Sequence, residues 1–450
     1  MGALGMDKQT LIRSIRDAGV VGEGGAGFPT HIKYDAKVET VIANGCECEP
    51  LLYTDQHVMA RHAAEIVRAL QAVMAAMGAV RGIVAIKRKY TEIAARFAGA
   101  IAGTGIELAE LDNFYPAGDE HILVHELLGR TIPPLGLPLD VGAVVSNVGT
   151  LYSVSRAMDR HPVTQRVVTV TGEVARPSLL EVPIGTPAAA LVAQCGGATV
   201  SDPVYVVGGP MMGRFVGDPE EMGRTLITKT GGGLIVLPRG HYLHQMATLS
   251  VHDMQKQAAA ACIQCRYCTD LCPRHNIGHG FETHRVMRSF GGGVDTALGA
   301  LQASMCSECG VCEMFACPMR LSPRRINAMF KAKFKKEGLQ YSGPREVVES
   351  QSILNTFRKV PMSRLAIKLD LLAYMDLHPE FAGDVRPEAV RIPLRQHIGA
   401  PALACVRVGD TVRAGDCIGE IPEGALGARM HASIAGVVTE VGSSISIKGT

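Results

Sequence analysis

The 450-residue chain predicts a multidomain α/β protein. Three observations lead there. The first 160 residues alternate apolar strands with helices. A short region of β texture then precedes two tight cysteine runs. A third texture, short strands punctuated by glycine and aspartate, closes the chain. One hydrophobic core rarely grows past roughly 250–300 residues, so several domains are expected.

Residues 7–18 set Leu11, Ile12 and Ile15 at helical spacing and predict a helix that packs on the first domain. A glycine-rich loop runs from Gly22 to Thr30. Val38 to Ala43 reads as a short strand ending at Asn44 and Gly45. Residues 56–77, rich in Ala, Met and Leu, read as a helix. Gly82 to Ile86 is a buried strand, with a helix near 90–98. Gly142 to Ser146 is a further core strand, and a helix runs on from Asn147–Thr150 to Met158. This alternation predicts a three-layer domain over residues 1–160 with a mostly parallel sheet. Open sheets of this kind hold ligands at the carboxyl ends of their strands. In a loop packed with glycines, backbone N–H groups can approach a phosphate closely, and Lys33 adds an ammonium to neutralise it.

Beyond Pro162 the texture changes. Val167 to Gly172 alternates as a strand, Ala188 to Cys195 is helical, and Val204 to Pro210 is a strand and turn. A small α+β domain over 165–238 is expected, with Cys195 a buried core thiol.

Eight of the 13 cysteines form the runs Cys262-x2-Cys265-x2-Cys268-x3-Cys272-Pro273 and Cys306-x2-Cys309-x2-Cys312-x4-Cys317-Pro318. Each has the shape of a ferredoxin-type ligand set for a [4Fe-4S] cluster. In two-cluster ferredoxins the cysteine before the proline ligates the cluster of the other run. On that pattern one cluster takes Cys262, Cys265, Cys268 and Cys317, and the other takes Cys306, Cys309, Cys312 and Cys272. The clustering and the lack of an initial apolar run favour metal ligation in a reducing, cytoplasmic compartment over disulfides. Residues 250–340 therefore read as a helical double-cluster domain. Arg324, Arg325 and the stretch Lys331 to Lys336 read as a solvated helix face, with a docking surface for an acidic partner as the alternative.

From residue 386 to 450, short strands are expected at Val406–Val412, Asp416–Glu420 and Ile434–Val438. That rhythm resembles the barrel-sandwich hybrid of biotinyl and lipoyl carrier domains. The hairpin Arg429 to Ser433 has no lysine to modify, so a structural module is expected, not a swinging arm. A net charge of +2 gives no support for nucleic-acid binding. No stretch reaches the roughly 18 apolar residues of a membrane span, so no transmembrane segment is expected.

The segments Gly22–Thr30 and Ala43–Pro50 resemble the flavin-binding subunit of respiratory complex I, and still more the RnfC family. Matches continue in order through Phe114–Glu120, Pro133–Leu139 and Asn147–Thr150. Val168–Gly172 and Pro183–Pro187 resemble the β-grasp (SLBB) domain of the same superfamily. Two details resemble the PduS-type cobalamin reductases of propanediol-utilisation microcompartments: four residues between Cys312 and Cys317, and the sandwich module at the carboxyl end.

The resemblance implies a Rossmann-like first domain with FMN, NADH as substrate, two [4Fe-4S] clusters, and electron delivery to cob(II)alamin or a corrinoid adenosyltransferase. It extends the expected partners to shell proteins and the location to the inside of a bacterial microcompartment. Gly22, Gly24, Gly25 and Lys33 would line the FMN phosphate and ribityl chain. Asn44, Glu47 and Glu49 would lie under the flavin, and Asn147 and Thr150 would hold its phosphate side. Tyr115, Gly118 and Glu120 match the segment that closes over flavin and nicotinamide; the other reading of Asp119 and Glu120 is a helix N-terminus. Cys46 and Cys48 are expected to be inert. The chemistry belongs to the cofactors, so no catalytic acid or base is nominated. The alternatives are an RnfC-like peripheral subunit of a membrane ion-pumping complex and a non-enzymatic electron-transfer scaffold.

Overall fold

The computed structural model describes residues 6–293, 298–348 and 354–449. Helix α1 (Lys8–Asp17) leads into strand β1 (Thr40–Gly45), helix α2 (Thr54–Met77), β2 (Arg81–Lys87), α3 (Thr91–Ile101), β3 (Glu107–Leu111), β4 (Phe114–Tyr115), α4 (Glu120–Leu128), β5 (Ala143–Asn147) and α5 (Val148–Met158). Strands pair in the order β3-β2-β1-β5, all parallel. The two sheet faces bury different residues, as the two-residue strand period requires. Val41, Ala43, Val84, Ile86 and Val144 pack under Leu11, Ile15, Ile66, Leu70, Phe97 and Leu151 of the helices. Ile42, Ile83, Ala85 and Val145 face Ile122, Leu123 and Val124 of α4. Burial on both sides explains why these strands read as unbroken apolar runs. The expected docking of the amino-terminal helix is met through Leu11 and Ile15.

The next sheet is mixed. Strands β6 (Gln165–Gly172), β7 (Ser178–Pro183), β8 (Pro203–Val207), β9 (Arg214–Val216) and β10 (Gly233–Pro238) wrap helix α6 (Ala188–Gln194). Cys195 is buried in this core with Val168, Val170, Leu180 and Leu191. A second short helix, Pro219–Arg224, appears where no apolar periodicity announces it; Asp218 caps it and a proline opens it.

The cysteine region is helical: α7 (Val251–Ala261), α8 (Thr283–Gly291) and α9 (Pro323–Glu337) enclose the two runs. The extra residue between Cys312 and Cys317 is absorbed in a wide π-type helical turn, Val311–Ala316. Such a turn accommodates one more residue than an α-turn and is common at functional sites. The basic stretch divides: Lys335 and Lys336 are exposed on a solvated face, whereas Arg324, Arg325 and Lys331 are tied to backbone carbonyls. Arg325 donates to Met246 O (2.8 Å) and Leu249 O (2.7 Å), Arg324 to Glu308 O (3.1 Å), and Lys331 to Cys306 O (2.9 Å). Arg324 and Lys331 satisfy carbonyls of the second cysteine run, and Arg325 those of the segment that leads into α7.

The chain then returns to the first domain. Strand β11 (Val360–Pro361) pairs with β4, helix α10 (Met362–Lys368) follows, and β12 (Glu380–Asp384) adds an edge to the mixed sheet beside β7. The carboxyl-terminal module is two small sheets. One holds β13 (Ala389–Pro393), β15 (Thr411–Val412), β18 (Gly436–Val441) and β19 (Ser444–Gly449); the other holds β14 (Leu403–Ala404), β16 (Cys417–Glu420) and β17 (Met430–His431). Instead of one strand over 406–412, pairing occurs at 403–404 and 411–412, because Gly409 takes a positive φ of 94° between them. The module is not a free arm. Met430, His431, Ala432 and Ser433 are buried, Arg429 pairs with Asp17 at 2.6 Å, and Ile398 N–H reaches Gly27 O at 3.3 Å.

Candidate functional site

Parallel register brings Asn44 opposite Asn147 at the carboxyl ends of β1 and β5. Asn44 Nδ2 donates to Gly118 O at 2.9 Å. Asn147 caps α5, accepting from Gly149 N–H at 2.8 Å, while its Nδ2 donates to Asp55 Oδ2 at 2.7 Å. The glycine loop folds over this edge. Gly22 N–H donates to Phe28 O at 2.9 Å. Gly24 lies so close to Asn147 that a Cβ would stand 3.0 Å from its Nδ2, whereas at Gly25 a Cβ would meet nothing within 4 Å. The loop is thus sealed on one side and open on the other. Glu23 N–H donates to Thr150 Oγ1 at 2.9 Å, and the Glu23 carboxylate lies over Gly149, paired with Arg166 of β6.

Lys33 Nζ donates to Val145 O at 2.5 Å. Burial pushes its pKa down, and the charge of Glu120 partly restores it. Glu120 opens α4 and Asp119 caps it, accepting from His121 N–H at 3.0 Å. Gly118 has no room for a side chain: a Cβ would stand 2.6 Å from Cys46 O.

Three carboxyls follow β1 and part into two places, Glu47 and Asp55 together and Glu49 apart. Glu47 accepts from Asp55 N–H (3.1 Å) and Gln56 Nε2 (3.0 Å) at the start of α2. Burial raises Glu47, and burial and then the Glu47 charge raise Asp55. Glu49 turns toward the mixed sheet, where its Oε2 accepts from Met211 N–H at 2.9 Å. Burial pushes Glu49 up to about 7, and its Oε1 is buried without a partner among the described residues. Lys87, 1% exposed at the end of β2, donates to Asn113 Oδ1 at 3.1 Å and is lowered by burial. Burial pushes the thiols of Cys46 and Cys48 up to about 12, which keeps both protonated. Asp55, Lys87 and Arg166 were not among the sequence candidates. Lys87 carries a readable signal, a charge ending an apolar strand run; Asp55 and Arg166 carry none.

Tyr115 lies at the border of two domains. It is buried, and its hydroxyl donates to Cys309 O at 2.7 Å. Arg274, two residues past Cys272, grips Asp119 with Nη1 at 2.8 Å and Nη2 at 3.0 Å. The flavin-type domain therefore abuts the loop of the second run.

The cysteines fall into two quartets, each drawing one member from the other run. A recess is lined by Cys262, Cys265, Cys268 and Cys317. Cys312 lies among Cys306, Cys309 and Cys272, whose charges add to the burial that raises its thiol. Cys272, Cys306, Cys309 and Cys312 are buried; Cys265 is exposed, and Cys262, Cys268 and Cys317 are half-buried. Backbone N–H groups point at sulfur, Glu308 to Cys306 Sγ at 3.3 Å and Leu321 to Cys317 Sγ at 3.4 Å. Left-handed backbone at Gln264, Arg266, Glu308 and Gly310 shapes these loops. Among the described residues no three His, Cys, Asp or Glu side chains close on a point as one metal ion requires. Four thiols spread around an opening suit a multi-iron cluster instead. The half-sealed glycine loop and the unpartnered Glu49 Oε1 likewise suit a further polar group such as FMN.

Comparison with known proteins agrees with this layout. The Nuo51 FMN-binding domain model matches residues 15–156, the SLBB domain 167–215, the 4Fe-4S dicluster domain 261–322, and the RnfC barrel sandwich hybrid domain 383–450. An NAD+-reducing [NiFe]-hydrogenase shares the fold at 20% identity, with a TM-score of 0.50 over 76% of this chain and 64% of its own. One component of the Na+-translocating ferredoxin:NAD+ oxidoreductase complex of Acetobacterium woodii is 33% identical over 60% of this chain and 59% of its own. Cobalamin reductase PduS of Citrobacter freundii is 43% identical over 97% of this chain and 95% of its own. The Salmonella typhimurium PduS is 44% identical over 95% of this chain and 93% of its own. The chain belongs to the family of the cobalamin reductase PduS, flavin and iron–sulfur oxidoreductases.

Proposed function

We propose that this protein carries electrons from NADH, by way of FMN and two [4Fe-4S] clusters, to cob(II)alamin. The observation that supports it most is continuity. The edge bearing the glycine loop, Asn44 and Asn147 is joined through Gly118 and its neighbours to both cysteine runs, by Asp119 to Arg274 beside Cys272 and by Tyr115 to Cys309. When bound, FMN accepts a hydride and the clusters pass electrons singly, which the side chains alone cannot do. The chain's own groups hold and orient. Gly24 and Gly25 offer backbone N–H groups, Gly22 uses its own to close the loop on Phe28, and Lys33, Asn147 and Thr150 complete the phosphate side. Asn44, Glu47 and Glu49 form the floor, with Gly118 and Glu120 on the nicotinamide side. The burial of the Tyr115 hydroxyl bond and of Cys309 keeps water from the junction. The buried quartet lies next to the flavin side and the half-exposed quartet beyond it, so the electron path leads outward.

Delivery to a corrinoid adenosyltransferase and enclosure with shell proteins in a microcompartment belong to the same proposal and rest on the likeness to PduS. Among the described residues no helix is long and apolar enough to cross a membrane. Anaerobic protein should hold one FMN and about eight iron atoms, as two four-iron clusters require. NADH should bleach the flavin and clusters, and cob(II)alamin should reoxidise them. Lys33→Glu puts a negative charge beside the phosphate and should empty the flavin site while leaving iron in place. Full flavin occupancy in that variant would remove Lys33 from the site, and clusters that cob(II)alamin leaves reduced would sink the acceptor.

A further inference from the structure

The acceptor needs a landing place near a cluster. The quartet of Cys272, Cys306, Cys309 and Cys312 is buried, so nothing outside the protein reaches it closely. Two openings border the other quartet among the described residues. One is the recess between its own thiols, which the cluster itself would fill. The second is a cleft of about 590 Å³ that shares Cys317 and Pro318 with that recess. Its walls come from three parts of the chain: Gly240, Tyr242 and Gln245 after the mixed sheet, Phe315, Cys317 and Arg320 of the cluster loop, and Ile367, Lys368 and Asp370 at the end of α10.

We propose that this cleft seats the corrinoid; the assignment deepens the acceptor reading above and rests on it. The cleft is smaller than a whole corrinoid, so one edge of the macrocycle enters it and the rest stays outside. Ligand sites combine apolar surface with a few placed polar groups. Tyr242, Phe315 and Ile367, the last 59% exposed, offer apolar surface for the face of a broad macrocycle. Gln245 and Asp370 suit its fringe of amides. Arg320, held over the Tyr242 ring at 5.5 Å, and Lys368 outnumber the single carboxylate of Asp370. That net positive charge suits the phosphodiester of a corrinoid's nucleotide tail. The wall is held in place, since His241 Nε2 meets the Asp370 carbonyl at 3.0 Å across it. A ligand here is one side chain, Cys317, from the recess. Each corrinoid takes one electron, Co(II) becoming Co(I). One NADH, released as NAD+ and a proton, supplies two corrinoids.

The test is equilibrium dialysis of cob(II)alamin against anaerobic, FMN- and iron-loaded protein. At Gly240 a Cβ meets nothing within 4 Å, so the wall accepts a side chain there and Gly240→Trp should narrow the cleft. Lys368→Glu, on an exposed surface, reverses the charge and decides the matter should the tryptophan variant fail to load FMN and iron. Each should raise the dissociation constant at least tenfold with unchanged flavin and iron content. Wild-type protein that binds and reduces cob(II)alamin, with both loaded variants within twofold of it, overturns the cleft and leaves the acceptor standing. Wild-type clusters that NADH reduces but that neither bind nor reduce cob(II)alamin overturn both.

Discussion

The Tyr115 hydroxyl donates a 2.7 Å hydrogen bond to the backbone carbonyl of Cys309. One bond thus ties the flavin-type domain to the loop that carries three cysteines of the second run. Both residues are buried, so water cannot replace either partner. A buried carbonyl left alone costs about 1–3 kcal/mol.

Tyr115→Phe keeps the ring and removes that donor. The expected result is a loss of about 1–3 kcal/mol in stability with FMN content unchanged. Cluster reduction by NADH should slow several-fold, because the Cys309 loop is no longer fixed against the flavin side. Stopped-flow absorbance of flavin and clusters separates the two events. Equal rates in both proteins would reduce the tyrosine to packing.

The second tie is the pair Asp119–Arg274, whose side chains are only 15% and 10% exposed. Asp119 has two tasks, as cap of α4 and as partner of Arg274. Asparagine caps about as well as aspartate but carries no charge. Asp119→Asn should therefore expose the cost of stranding a largely buried guanidinium, about 3–5 kcal/mol at the upper end. Asp119→Ala should cost about 1 kcal/mol more, the value of the cap. Chemical denaturation of the three proteins gives both differences. Equal stabilities for the two variants would show that the cap contributes nothing.

Much of this arrangement was legible because local chemistry dictates it. Apolar runs bounded by Asn44–Gly45 and Asn147 mark strands buried on both faces, and cysteine spacing marks the two ligand runs, though not which thiols share a cluster. The rest depends on contacts far apart in sequence, which leave no local trace. Nothing near Asp55 announces that Asn147 will donate to it. The mixed sheet takes its edge strand β12 from residues some 200 positions downstream of its neighbour β7. Arg324, Arg325 and Lys331 look like solvated charges until the second cysteine run and the segment around Met246 and Leu249 supply carbonyls for them. The tie between Arg429 and Asp17 spans nearly the whole chain.

Glu49 predicts a pH dependence. Its folded pKa is raised from 4.5 to about 7 by burial. Between those values the folded protein holds a proton that the unfolded chain has released. Stability from this group is therefore present below about 4.5 and lost as pH rises through about 7. Glu49→Gln cannot titrate. In flavin-free protein the melting temperature of the wild type should fall relative to that of Glu49→Gln across this window, then run parallel above it. Parallel curves throughout would mean that Glu49 is ionised in the folded state.

The last prediction concerns oxygen. The two quartets differ in access: Cys265 is exposed and its three companions half-buried, whereas Cys272, Cys306, Cys309 and Cys312 are all buried. The π-type turn before Cys317 takes up the extra residue without unpacking Met314 or Ala316, so any difference in lability should follow exposure and not a slack loop. Brief exposure of reduced protein to air should then give two phases of cluster loss by EPR, the faster from the quartet with Cys265. Cys265→Ala should abolish the fast phase and Cys309→Ala should keep it, with circular dichroism and retained FMN showing that each variant is folded, since cluster loss can couple to unfolding. If the slow phase disappears with Cys265→Ala instead, the buried quartet is the oxygen-sensitive one, and the outward order of the clusters would have to be reversed.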